Sequence, residues 1–168
     1  MIIDESQIRA KAKEIGKAIS DDFAGEEVLL IGILKGAFMW LSDVAKEVSL
    51  DAHIDFMAVE SYGASTKSSG VVKIIKDLDV PIEGKNVIIV EDIVDSGVTL
   101  KYLKNYLLGM GPKSLKICAL LDKPDGRKVD IDVDYIGFTV ENKFIVGYGL
   151  DCDQKYRNLP YVTYLERS

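Results

Sequence analysis

The sequence predicts a single α/β domain, residues 1–168, with a central, mainly parallel sheet flanked by helices. Nearly continuous apolar runs, such as 28–34 and 87–90, suit strands that are buried on both faces. Stretches with helical spacing of apolar residues lie between these runs, and 168 residues is the length of one domain. Because strands and helices alternate, we expect parallel strands joined by right-handed crossovers.

The elements can be placed in order along the chain. Asp4 and Gln7 have the spacing of a capping box, which predicts that the first helix begins there. Strands are expected at 27–34, 53–60, 71–75, 87–90, 115–121 and 135–140, with a second helix after residue 36 and a third from about 97 to a Gly-Met-Gly-Pro stop at 109–112. Apolar residues at helical spacing give the inward faces of the second and third helices: Phe38, Leu41, Ala45 and Val48, then Leu100, Leu103, Leu107 and Met110.

Composition and charge narrow the class of protein. The 27 acidic residues outnumber the 21 basic ones, which gives a net charge of -6 and disfavours a nucleic-acid partner. No apolar run approaches the roughly 20 residues needed to cross a bilayer, and the first residues lack the basic start of a signal peptide. Cys118 and Cys152 have no metal-site spacing. We therefore expect a cytoplasmic protein with no membrane partner.

Polar residues follow three of the predicted strands at the point where each strand ends. In an open parallel sheet, ligands bind in the crevice outside the carboxyl ends of the strands. Lys35, residues 91–99 and Lys123 are therefore expected to face one crevice. Lys35 taken alone has an alternative interpretation as a surface lysine at a turn.

The segment after the strand at 87–90 carries the main functional signal. It supplies acids at 91, 92 and 95 and then two hydroxyl residues around a glycine, at the expected start of a helix. The free N–H groups and partial positive charge of a helix N-terminus suit a phosphate, and Glu91 and Asp92 suit ribose hydroxyls. The alternative is that Asp95 and Ser96 only cap the helix. Capping alone leaves the acidic pair unexplained, because buried acids are costly unless a ligand, a metal or a partner satisfies them.

The run from Val87 to Thr99 closely resembles the phosphoribosyl-diphosphate signature of type I phosphoribosyltransferases. Further segments are similar to the 6-oxopurine branch of that family, the hypoxanthine-guanine phosphoribosyltransferases: 32–36, 61–63, 120–124 and 143–151, with Arg157. The resemblance extends from about Ile8 to Glu166. It implies the type I phosphoribosyltransferase fold, with a small hood formed from the N-terminal and C-terminal segments and a mobile lid loop.

The resemblance also implies a reaction. This is purine salvage by Mg²⁺-dependent transfer of a 5-phosphoribosyl group from 5-phosphoribosyl 1-diphosphate to hypoxanthine or guanine, giving IMP or GMP and diphosphate. A homodimer or homotetramer is expected, because the family forms both. Two alternatives stay open: a xanthine-preferring phosphoribosyltransferase, and an RNA-binding regulator of the same fold, which the acidic net charge disfavours.

The family's site residues carry over to matching positions of this sequence. Asp95 would be the general base or acid at purine N7. The Mg²⁺ ion would be held by Glu91, Asp92 and Asp151. The phosphoribosyl group would be bound by one continuous run: Glu91, Asp92, Ile93, Val94, Asp95, Ser96, Gly97, Val98 and Thr99.

Other segments would bind the diphosphate and the purine. The implied diphosphate contacts are Leu34, Lys35, Gly36, Ser61, Tyr62 and Arg157, with residues 61–70 as the lid. The implied purine contacts are Lys123, Phe144, Ile145 and Asp151. Lys123 donates hydrogen bonds but cannot accept them, so it suits the O6 atom of a 6-oxopurine and disfavours adenine. Without the resemblance, Phe144 would be interpreted as a core residue, and the stretch from Lys123 to Lys128 is interpreted as a solvated loop beyond Lys123 itself.

Overall fold

The computed structural model describes residues 2–61 and 72–166 of the chain. In this part of the chain the helices are α1 Glu5–Asp22, α2 Phe38–Glu47 and α3 Val98–Leu108. The strands are β1 Val28–Leu34, β2 Ala52–Ser61, β3 Val72–Lys76, β4 Asn86–Val94, β5 Ser114–Asp122, β6 Tyr135–Thr139, β7 Ile145–Val146 and β8 Thr163–Tyr164. No helix among the described residues is long and apolar enough to cross a membrane.

The main sheet has the strand order β3-β2-β1-β4-β5-β6. All neighbouring strands pair in parallel except β2 and β3, which are antiparallel. The α/β class and the mainly parallel sheet that the sequence predicts are therefore confirmed. Parallel pairing brings the carboxyl ends of β1, β4 and β5 to one edge of the sheet, where the candidate site lies.

Helices cover both faces of this sheet. Because side chains alternate along a strand, Val28 and Leu30 of β1 belong to the hydrophobic cluster that includes α1 and α2, whereas Leu29 and Ile31 belong to the cluster that includes α3. The sheet is thus buried on both sides, as the apolar runs predict. The capping box of α1 is also present, since the Asp4 side chain accepts the N–H of Gln7 at 2.8 Å.

A second, small sheet is formed by β7 and β8, which pair antiparallel. Beside it, the backbone N–H groups of Ile2 and Ile3 donate to the carbonyl oxygen of Val162 at 2.9 and 3.2 Å. The sequence does not predict β7 and β8, because two residues each are too few to show a period. Their pairing joins the early residues of the chain to its late residues.

Two predicted helix faces are wrong in part. Phe38 is 42% exposed, and α2 instead buries Trp40, Leu41 and Val44. The fully buried Trp40 is the largest side chain of that helix, so it decides which side faces the core. Met110 is 37% exposed because α3 ends two residues before it, and the chain turns away there.

Candidate active site

Strand β4 is longer than the sequence indicates, and it includes the acidic pair Glu91 and Asp92. Instead of ending at Val90, it continues to Val94, because Glu91 and Ile93 still pair with β5. Glu91 and Asp92 are therefore held on a paired strand, and the turn before α3 shrinks to residues 95–97. A carboxylate on a paired strand has little freedom to move away from its neighbour.

The turn between β4 and α3 depends on Gly97, the N-cap of α3. Gly97 has a φ of +80°, which favours glycine, and a Cβ there would lie 3.0 Å from the side chain of Ile131. The N-cap position is held by Gly97 itself, so neither Asp95 nor Ser96 occupies it. Ser96 Oγ accepts a long bond of 3.4 Å from the N–H of Val98.

A cavity of about 240 Å³ lies against this turn. It is lined by Leu100 and by every residue of the predicted phosphoribosyl run 91–99 except Asp92 and Val98. The cavity meets the N-terminus of α3, where backbone N–H groups and the helix dipole give a partial positive charge. Such a position suits a phosphate group, so we call this space the phosphate cavity and the turn at residues 95–97 the phosphate turn.

Glu91 and Asp92 form a half-buried acidic pair. Burial raises the pKa of Glu91 well above its usual value, and the adjacent Asp92 carboxylate raises it further. Burial also raises the pKa of Asp92, although the N–H of Ile93 and the positive charge of Arg157 partly offset this. Two such carboxylates cost free energy unless a cation or hydroxyl donors satisfy them. The pair is therefore suited to a ligand.

Glu91→Gln should stabilise the ligand-free protein near neutral pH. The folded-state pKa of Glu91 lies above the unfolded value of about 4.3. The cost of ionising it therefore grows as the pH rises above that value, and is absent below it. Urea denaturation should give a higher free energy of unfolding than the parent at neutral pH and the same value near pH 4. Glu83→Gln, at an exposed position, is the control, and an unchanged pH dependence in Glu91→Gln would contradict the prediction.

Within the described part of the chain, no third protein ligand for a metal ion joins the acidic pair. Across residues 2–61 and 72–166, no group of three or more His, Cys, Asp or Glu side chains is arranged to hold a metal ion. Asp151 instead accepts the N–H of Gln154 at 2.9 Å and lies 3.3 Å from Arg157. Glu91 and Asp92 still fit Mg²⁺, which proteins commonly bind through one or two carboxylates together with substrate phosphates and water.

Lys35, Gly36 and Arg157 come together beside the acidic pair. A Cβ on Gly36 would lie 1.8 Å from Asp92 Oδ2, so this close approach requires glycine. The peptide bond between Leu34, the last residue of β1, and Lys35 is cis. The side-chain oxygen of Gln154 accepts from Lys35 Nζ at 3.5 Å and from Arg157 Nη2 at 3.2 Å, so it links the two cations. Sequence reasoning missed Gln154.

Lys123 lies directly after β5 and reaches the turn after β4. Its side chain is 9% exposed, and its Nζ lies 3.2 Å from Asp95 Oδ2. Its backbone N–H donates to the carbonyl oxygen of Val94 at 2.9 Å. Asp95 is more open, with 51% of its side chain exposed. A buried ammonium and an accessible carboxylate therefore lie side by side, as the shared crevice predicts.

The interpretation of the segment after β5 as a solvated loop is wrong at Arg127, whose side chain is only 21% exposed. Its Nη1 donates to the carbonyl oxygens of Val94 at 2.9 Å and Asp95 at 3.0 Å, and its Nη2 contacts the Asp122 carboxylate. The 3₁₀ turn Pro124–Gly126 directs the chain back towards β5. That Pro-Asp-Gly turn is the sequence signal that indicates such a return.

Phe144 and Ile145 lie where β7 begins. Ile145 is buried in the hydrophobic cluster against which Ile93 of β4 also packs. Phe144 lines a separate cavity of about 390 Å³, which shares no lining residue with the phosphate cavity. The structure thus brings Ile145 into one cluster with β4, and it does not bring Phe144 into the cavity that contains Asp95.

The predicted lid, residues 61–70, falls almost wholly outside the described residues. Ser61 is the last residue of β2, and its side chain is not described. Tyr62 lies outside the described part of the chain. The roles predicted for both side chains therefore stay predictions.

Comparison with known proteins decides the family. The chain matches the family profile described as "Phosphoribosyl transferase domain" over residues 1–153. The chain belongs to the phosphoribosyl transferase family. The matched region of this phosphoribosyltransferase includes the phosphate turn, Lys123 and Arg127, whereas Gln154 and Arg157 lie beyond it.

Individual phosphoribosyltransferases are similar to this chain over nearly its full length. It is 49% identical over 166 residues to a hypoxanthine-guanine phosphoribosyltransferase of Bacillus subtilis, which covers 99% of this chain and 92% of that protein. It is 46% identical over 172 residues to one of Mycobacterium avium, with 99% and 85% covered. A solved structure of such an enzyme from Bacillus anthracis has 49% identity and a TM-score of 0.95, and 99% and 98% of the two chains are covered. The predicted type I phosphoribosyltransferase fold is confirmed.

Proposed function

We propose that this chain salvages purines by transferring a 5-phosphoribosyl group from 5-phosphoribosyl 1-diphosphate to hypoxanthine or guanine. The products are IMP or GMP and diphosphate. The observation that carries the proposal is the pair of Lys123 and Asp95, 3.2 Å apart, beside the phosphate cavity. A 6-oxopurine presents O6 and N7 on the same edge, so an ammonium suits O6 and a carboxylate suits a proton on N7.

Different residues in and beside the cavity bind the 5′-phosphate, bind the ribose hydroxyls and accept the purine proton. Positive charge builds on the ribose as its C1–O bond breaks, and the purine must lose a proton. Asp95 accepts that proton at N7. Residues 96–99 bind the 5′-phosphate at the N-terminus of α3, and Glu91 and Asp92 bind the ribose hydroxyls.

The diphosphate is bound on the other side of the acidic pair. Lys35 and Gly36 offer backbone N–H groups, and the Arg157 guanidinium donates to phosphate oxygens. Glu91 and Asp92, with Asp151 through water, would hold Mg²⁺, and the ion would supply positive charge to the leaving diphosphate when bound. In the proposal, Leu34 completes this segment, and Ser61 and Tyr62 belong to a lid that keeps water out.

The remaining proposals concern the purine and the assembly. Phe144 stacks on the purine face, and Ile145 and Asp151 contact its edge. Residues 1–168 form a single domain. Its hood consists of the small sheet of β7 and β8 together with the first residues of the chain, which Val162 joins to that sheet. We further propose a homodimer or homotetramer in the cytoplasm, with no membrane and no nucleic acid as partner.

Gly149→Ala should raise the KM for 5-phosphoribosyl 1-diphosphate. A Cβ on Gly149 would lie 2.1 Å from the carbonyl oxygen of Gly36, and Gly149 has a φ of +99°. The substitution therefore strains the backbone and also displaces the diphosphate segment. Steady-state kinetics with varied 5-phosphoribosyl 1-diphosphate measure the effect.

Gly25→Ala is the matched control for Gly149→Ala. Gly25 has a φ of +81°, but nothing lies within 4 Å of a Cβ built there. It should lose about 1–2 kcal/mol of stability from its left-handed backbone, and its KM should stay at the parental value. Equal KM values in the two variants would show that Gly149 has no part in placing Gly36.

The proposed function is tested by incubating the protein with 5-phosphoribosyl 1-diphosphate, Mg²⁺ and one purine at a time. IMP or GMP should form with hypoxanthine and guanine, and adenine should be a very poor substrate. Faster turnover of xanthine than of either would support the xanthine-preferring alternative. The absence of nucleotide with every base would contradict an enzymatic role and favour the regulatory alternative.

A further inference from the structure

Arg127 contacts the ends of the two strands that supply the reacting side chains. Its Nη1 donates to the carbonyl oxygens of Val94 and Asp95 at 2.9 and 3.0 Å, and lies 3.4 Å from that of Lys123. Its Nη2 pairs with the carboxylate of Asp122. One guanidinium therefore joins the end of β4 to the end of β5.

These contacts lie where the sheet itself stops. The paired register of β4 and β5 ends at Val94 and Asp122, and a last backbone bond of 2.9 Å runs from Lys123 N–H to Val94 O. Beyond this point no ladder hydrogen bond fixes the distance between the segment that follows β4 and the segment that follows β5. Asp95 and Lys123 are the first residues past the ladder, and they are the ones whose separation matters for the purine.

We infer that Arg127 is a positioning residue that sets the separation of Asp95 and Lys123, and so couples proton transfer at N7 to recognition of O6. The inference rests on the proposed function. Arg127 does not line the phosphate cavity, so it acts through the two strand ends and not on the substrate. Displacing a reacting group by about 1 Å costs roughly 10²-fold in rate.

The chemistry of the side chain explains why this position is an arginine. A guanidinium presents five N–H donors in a fixed planar fork, whereas an ammonium is a compact charge on a flexible stem. Arg127 uses that fork on two consecutive carbonyl oxygens and on a carboxylate at once. A lysine can pair with the buried Asp122, but its single ammonium cannot also donate to both carbonyl oxygens in the same geometry.

The following segment supports the turn from the same side. The backbone N–H of Lys128 donates to the carbonyl oxygen of Ser96 at 2.9 Å. A Cβ on Gly97 would lie 3.6 Å from Arg127 Cδ and 3.4 Å from a methyl group of Val129. These residues after the 3₁₀ turn therefore pack against the phosphate turn, and none of them lines the phosphate cavity.

The test compares Arg127→Lys, Arg127→Met and the control Lys128→Met. Lys128 is exposed, so its substitution removes a neighbouring charge without removing a side-chain contact of the turn. In Arg127→Lys, kcat/KM for hypoxanthine should fall by about tenfold to a hundredfold, while thermal stability stays near that of the parent. The ratio of kcat/KM for hypoxanthine to that for adenine should fall as well. That ratio does not depend on the folded fraction, so a purely structural role would not change it.

Each outcome bears on the inference. If Arg127→Met fails to fold because Asp122 loses its partner, Arg127→Lys alone decides. Parental turnover and parental base selectivity in Arg127→Lys would overturn the positioning role. If the parent transfers to no purine, the proposed function fails, and a crystal structure of Arg127→Lys still tests the positioning. The distance from Lys123 Nζ to Asp95 Oδ2, 3.2 Å in the parent, should increase, and an unchanged distance would refute the inference.

Discussion

Asp95→Asn should keep the fold and lose about 10²–10⁴-fold in kcat with hypoxanthine. The amide has the shape of the carboxylate, but it cannot take the proton from N7. Because 51% of the Asp95 side chain is exposed, the substitution buries no new polar group. The expected cost to folding is limited to the lost ion pair with Lys123. Turnover is measured at saturating 5-phosphoribosyl 1-diphosphate and Mg²⁺.

The control for this variant is Asp125→Asn, at an exposed position in the 3₁₀ turn. It removes the same charge near the site and should turn over at the parental rate. Binding of IMP by both variants separates chemistry from affinity, since Asp95→Asn replaces one lining carboxylate by an amide of the same shape and leaves the other cavity residues unchanged. Near-parental kcat in Asp95→Asn would remove Asp95 from the proposed mechanism.

Lys123→Gln should remove most of the discrimination between 6-oxopurines and adenine. The ammonium only donates hydrogen bonds, whereas the amide of glutamine both donates and accepts. Sites that demand one hydrogen-bonding group can discriminate by about 10⁴–10⁵-fold. We therefore expect the ratio of kcat/KM for hypoxanthine to that for adenine to fall by at least about 10²-fold. Competition between the two bases for limiting 5-phosphoribosyl 1-diphosphate measures this ratio directly.

The stability of Lys123→Gln is also informative. Its Nζ is nearly buried, with 9% of the side chain exposed, so the substitution removes a buried charge. It also removes the ion pair with Asp95, and the two effects oppose each other. The protein should therefore unfold at a temperature close to that of the parent. Lys128→Gln, at an exposed position, should change neither stability nor selectivity. A Lys123→Gln variant with slow turnover but parental base selectivity would assign Lys123 to another step.

Several parts of the site could be predicted because their residues are contiguous or follow a strand. The run from Glu91 to Thr99 is one segment, so its chemistry can be interpreted before its folding is known. Lys35 and Lys123 each follow an apolar strand, and strand order alone places them at the same sheet edge. The observed contacts of Gly36 with Asp92, and of Lys123 with Asp95, agree with that prediction.

Other parts could not be predicted because they depend on how distant segments meet. The role of Gln154 requires Lys35 and Arg157 to lie on either side of one amide, and no local pattern encodes that. The buried side of α2 depends on the volume of Trp40, which apolar spacing does not weigh. The extension of β4 past Val90 depends on its pairing with β5, since the charges of Glu91 and Asp92 suggest that the strand ends before them.

The bridge between Ile3 and Val162 gives the protein an order of assembly during synthesis. A ribosome releases the chain from its N-terminus, and structure forms as units emerge. The phosphate turn at 95–97 and its supporting Arg127 emerge well before β8, the partner strand of β7. Ile3 must wait for Val162 to be made before its bridge partner exists. The phosphate turn is therefore made before the small sheet beside the proposed purine contacts can close.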